Sequence, residues 1–115
     1  MSSTPNPMAE ALNRLWAQHL SEMQRRVAAI AAASQALRAG DAGADVATAG
    51  AEAHKLAGVL GSFGLHEGTA LAREAETLCN SIAERDPSAA AERLAEIAGM
   101  LKLTLATRNQ PPLTH

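Results

Sequence analysis

Apolar side chains return along this chain at steps of three, four and seven, in four successive blocks. In the first, Leu12, Trp16, Leu20, Met23, Val27, Ile30 and Leu37 fall on one face of a long helix over about residues 8 to 39, closed at Gly40. The polar, Gly-bearing stretch GDAGAD follows. Val46, Ala49, Ala53, Leu56, Leu60 and Phe63 then keep the same period in a second helix, about residues 45 to 63, ending at Gly64. Leu71, Ala75, Leu78 and Ile82 mark a third helix, stopped by the RDP of residues 85 to 87. A fourth starts at Pro87 or Ser88 and carries Leu94, Ile97, Leu101 and Leu105. Four amphipathic helices with short links predict an antiparallel four-helix bundle with a long first helix. The polar, Pro-containing ends, MSSTPNP (1–7) and RNQPPLTH (108–115), read as tails around a domain at 8–107.

Composition narrows the class. At 115 residues, 47% of them apolar, the chain can bury one core and is too short for two domains. Trp16 and Phe63 are its only aromatics and alanine is abundant, which suits closely packed helices far better than strands, so the fold class is all-α. A net charge of −2 with no basic run gives no footprint for nucleic acid or an anionic membrane. The lone Cys79 has no partner for an internal disulfide, and MSSTPNPMAE has neither the basic nor the apolar region of a secretory signal, so a cytoplasmic location is expected. The run VAAIAAASQAL, flanked by Arg25, Arg26 and Arg38, falls short of the ~20 residues of a membrane span.

The candidate chemistry lies in AEAHKLAGVLGSFG, residues 51 to 64. At about 100° per residue, His54 falls roughly 140° from the apolar stripe of Ala49, Leu56 and Leu60, so it points at solvent or at a partner. Its neighbours three, four or seven residues away are Ala47, Gly50, Ala51, Ala57, Gly58 and Gly61, none of which can shield the ring. A solvated face would ordinarily carry long polar side chains, and each interior glycine costs about 0.8–1 kcal/mol relative to alanine. A neutral imidazole is a good nucleophile near neutral pH, and a large partner delivering a group to it needs bare surface around the ring. Geometry alone leaves two readings open: a nucleophile with clearance, or a polar residue on a wet face whose small neighbours reflect composition.

HKLAG at 54–58, then Gly64 in GSFGL and a further amphipathic helix with AREAETL, resembles the histidine-containing phosphotransfer (HPt) domain of bacterial phosphorelays. The resemblance runs from about Leu15 to Leu105 and is sharpest at residues 53–64. It implies a four-helix bundle in which His54 accepts a phosphoryl group on Nε2 and exchanges it with the aspartate of response-regulator receiver domains. A hybrid sensor histidine kinase would stand upstream. It further implies that Gly58 is the small residue admitting the receiver, with Lys55, Ala57 and Gly61 around the site and Gly64 closing the helix in a left-handed conformation. The apolar margin of helix one, including Leu15 and His19, would join the docking surface. Many members of that family carry Lys where Ala57 stands here, facing the phosphoryl group. Lys55 is only one residue from His54, so its Cβ points well away. The electrostatic support is then either weaker or supplied by the receiver and its metal.

Other candidates carry less. His19 and His66 read as structural or solvated, and His115 belongs to a tail. No HExxH-like spacing appears, so no metal or other cofactor of its own is expected, with Mg²⁺ confined to the receiver. Cys79 reads as a small core hydrophobe. No GxxxxGK(S/T) loop is present, so ATP-dependent kinase activity is not expected. Arg73, Glu74 and Glu76 read as a solvated face or as the fringe of the docking surface. The expectation is a monomeric phosphorelay intermediate that is not itself an enzyme. The alternative is a helical adaptor that binds a receiver or kinase through the same smooth face without phosphotransfer.

Overall fold

A computed structural model describes residues 6–40 and 43–109. Four helices follow one another: α1 (Pro7–Ala39), α2 (Gly43–Ser62), α3 (His66–Asn80) and α4 (Pro87–Asn109), with a short 3-10 turn at Ile82–Glu84 before α4. They form an antiparallel bundle 59 Å long in which α2 packs on both α1 and α3, and α4 closes the ring against α1 and α3. The all-α bundle expected from the periodicity is the observed fold.

Local chemistry explains where each helix begins and ends. Asn6 caps α1, its side-chain oxygen accepting from the backbone N–H of Met8 and Ala9 at 3.1 and 3.2 Å, and Pro7 occupies the first turn, where no N–H is needed. The helix therefore starts inside the segment read as an N-terminal tail. Arg108 and Asn109 likewise belong to α4: the Arg108 guanidinium lies 5.0 Å from the centre of the Trp16 ring and donates to Asn13 Oδ1 at 3.0 Å. The rest of both expected tails, residues 1–5 and 110–115, lies outside the described residues. Helix α3 ends at Asn80, earlier than its apolar pattern suggests. Ile82 sits in the 3-10 turn, where it still packs on the core and so mimics helical spacing.

Met23, Ile30, Leu56, Leu60, Leu94, Ile97 and Leu101 are fully buried and fill the interior. Between them, Ala33, Ala49, Ala53, Ala72, Ala75 and Ala91 are at 0% exposure, so the helices approach on methyl groups. Trp16 and Phe63 meet edge to face at 5.1 Å and close one end of the bundle. Further polar clasps join neighbouring helices: Ser34 Oγ–H donates to the Ala91 carbonyl at 2.7 Å, Arg26 Nε–H donates to Glu52 at 3.2 Å, and Arg93 grips Glu74 through two nitrogens at 2.6 and 2.8 Å. That fork holds the Glu74 carboxyl below its ordinary range, so Glu74 is a structural link between α3 and α4 and no part of a free solvated face.

The glycines of α2 divide by what surrounds them. A Cβ on Gly50 would lie 3.0 Å from Asn80 Oδ1 and 3.2 Å from Cys79 Cβ, whereas one on Gly58 would meet nothing within 4 Å. Gly50 is therefore small because α3 packs there. Gly50→Ala should cost up to about 2 kcal/mol, since overpacking of about 1–3 kcal/mol is only partly offset by helix propensity. Gly58→Ala should gain up to about 1 kcal/mol. Denaturant midpoints should rank Gly58→Ala above wild type and wild type above Gly50→Ala; the reverse order would mean that the two environments had been exchanged.

Candidate functional site

Burial of Ala53, Leu56, Ala57 and Leu60 fixes the rotation of α2 and turns His54 outward, with its side chain 74% exposed. The ring is not alone. Its Nδ1 lies 2.9 Å from Oε2 of Glu76 on α3. A carboxylate can only accept, so Nδ1 carries the hydrogen and donates it, and the lone pair of the neutral ring resides on Nε2, directed at solvent. One bond thus sets both the tautomer and the orientation of the imidazole. Glu76 had read from sequence as part of a solvated or fringing face. Its only advance signal was its place beside the apolar stripe of α3, which does not say which residue of α2 it faces.

The bare surface around His54 is smaller than counting along one helix suggests. Gly58 opens on empty space, and a Cβ on Gly61 would make only ordinary contact, 3.7 Å from Thr69 Oγ1. Ala47 and Ala51 are exposed. Gly50 is covered by Asn80 and Cys79, and Ala57, counted among the docking residues, is only 4% exposed and belongs to the core, because α3 covers that flank of α2. Lys55 points away from α3, its ammonium 3.7 Å from a Glu52 carboxylate oxygen. Gly64, at φ 72°, ends α2 in the left-handed conformation expected of it. Gly64 N–H donates to Gly61 O and Leu65 N–H to Leu60 O, both at 3.0 Å, which satisfies the last carbonyls of α2 and reverses the chain into α3.

On α1, Leu15 and His19 are exposed; the Arg26–Glu52 and Trp16–Phe63 contacts run α1 antiparallel to α2, so both residues lie toward the Phe63 end of α2. His66 is the first residue of α3 and is exposed, and His115 is outside the described residues. Cys79 is buried, and desolvation pushes its thiol up to about 11, which makes it a poor nucleophile. Among the described residues no group of three or more His, Cys, Asp or Glu side chains could hold a metal ion, and no helix is long and apolar enough to cross a membrane.

An exposed imidazole of fixed tautomer, on a helix with an uncovered glycine one turn away, suits reaction with a group carried by another macromolecule. No match is found among curated proteins or among solved structures. The sequence profile of the Hpt domain matches residues 14–107, which spans all four helices and includes both His54 and Glu76. With the four-helix bundle and most of its length inside that match, the chain belongs to the Hpt domain family, whose members serve phosphotransfer in two-component signalling.

Proposed function

We propose that this protein is a phosphorelay intermediate that accepts a phosphoryl group on Nε2 of His54 from the phosphoaspartate of one receiver domain and passes it to the aspartate of another. The observation that carries the reading is the 2.9 Å bond from Nδ1 to Glu76, which leaves the Nε2 lone pair free on an exposed ring. That lone pair attacks phosphorus in line; the Nε2–P bond forms as the P–O bond breaks, and the aspartate carboxylate leaves with its electron pair. The ring becomes cationic, and the Glu76 carboxylate beside Nδ1–H is positioned to stabilise that charge. Return of the group to a second aspartate reverses each change. A divalent cation held by the receiver would neutralise the charge of the transferring group. An adaptor that only binds would have no use for a carboxylate on Nδ1, and this favours the transfer reading over it.

Three outcomes test the proposal. His54→Gln should keep the fold and lose all phosphate uptake from a phosphorylated receiver, measured as acid-labile phosphate on the purified protein, while His19→Gln and His66→Gln retain it. Uptake by His54→Gln would move the site. Glu76→Gln should slow transfer by about five- to tenfold with little change in stability, the range set by loss of a partly exposed charge-assisted bond. An unchanged rate would remove Glu76 from the mechanism. Gly58→Gln should leave the denaturation midpoint equal or higher and lower the transfer rate by more than about tenfold, because its side chain enters the space a receiver must occupy. A normal rate in that variant would show that the receiver approaches from elsewhere.

A further inference from the structure

Helices α2 and α3 run antiparallel in a register fixed by three contacts. Gly61 lies against Thr69, His54 bonds Glu76, and Gly50 lies against Asn80. Each advance along one helix is matched by an equal retreat along the other. On α3, residues 69, 76 and 80 belong to one row of the helix surface, and the row has one more member, Arg73. On α2 the matching row is 50, 54, 57 and 61, so the residue opposite Arg73 is Ala57, one turn beyond His54.

Arg73 is exposed and makes no hydrogen bond or ion pair among the described residues. Arg25, Arg26 and Arg93 are each paired with a carboxylate, and Arg108 is held by Asn13 and Trp16. Lys55, the other cation near the ring in sequence, is drawn to Glu52. Ala57 offers only a methyl group on the stretch of interface between Arg73 and the ring. Among cations close to the site, this leaves a guanidinium uncommitted on the α3 side, one turn from the carboxylate that orients the imidazole.

We infer that Arg73 binds the phosphoryl group carried on His54, supplying from α3 the cationic contact that position 57 of α2 does not provide. The inference rests on the reading of His54 as the phosphoacceptor. The guanidinium fork would donate two N–H groups to two phosphoryl oxygens, while Glu76 keeps the Nδ1 hydrogen on the opposite side of the ring. The two side chains then divide the work: the anion of α3 faces the ring, and its cation faces the group the ring carries.

The experiment labels the 115-residue chain chemically, with phosphoramidate as a small phosphoryl donor, and follows the phosphohistidine by phosphorus-31 NMR alongside transfer from a receiver. Arg73→Gln should fold with a wild-type denaturation midpoint, since the side chain has no partner to lose. Its phosphotransfer equilibrium should shift toward the receiver by about two- to fivefold, the range an exposed ion pair supports. The pH midpoint of its phosphorus line should move upward, because a nearby cation favours the more highly charged phosphoryl form. Arg73→Lys, which keeps the charge without the fork, should fall between the two. Identical midpoints and equilibria for wild type and Arg73→Gln would overturn the inference and leave the role of His54 standing. Absence of label on wild type with both donors would instead overturn the His54 reading, and this inference with it.

Discussion

Close approach of α2 and α3 is the constraint on which the site depends. A carboxylate on one helix reaches an imidazole on the next at 2.9 Å only when the two axes are drawn together, and here they are drawn together by side chains of one carbon or none. Ala49, Ala53 and Ala57 on α2 and Gly68, Ala72 and Ala75 on α3 are all buried. Larger residues along that seam would push the two axes apart and carry Glu76 away from the ring. The abundance of alanine, which suits the chain to closely packed helices, is therefore also what sets the distance on which the histidine's tautomer rests.

Most of the fold was legible because each helix announces its own buried face. Leu12 to Leu37 and Leu94 to Leu105 need no information from elsewhere in the chain to declare a period near 3.6. Errors fall where a neighbour decides. Arg108 looked like part of a polar tail because its partners, Trp16 and Asn13, lie at the other end of the sequence. Ile82 extended the third helix on paper because the 3-10 turn keeps it against the core.

The site divides in the same way. The outward direction of His54 follows from counting along α2 alone. Its bond to Glu76 depends on the register of α2 against α3, which is set where Gly50 meets Asn80 and where Gly61 meets Thr69, and no periodicity within one helix encodes it. Ala57 and Gly50 misled for the same reason: both flank the apolar stripe of α2, and only the position of α3 reveals that they are covered.

The turn at Gly64 has a kinetic meaning. His54 and Glu76 stand 22 residues apart on a hairpin whose link between helices is only Phe63, Gly64 and Leu65. Because loop-closure entropy grows slowly with the length of chain to be closed, bringing these two side chains together costs about 0.8 kcal/mol less than joining α1 to α4, whose clasp between Ser34 and Ala91 spans 57 residues. Contacts of low sequence separation form fast. The ring and its carboxylate thus belong, with the Arg93–Glu74 clasp of α3 and α4 that spans 19 residues, to the more local contacts of the molecule, which the chain can assemble before the long first helix finds its place against the fourth.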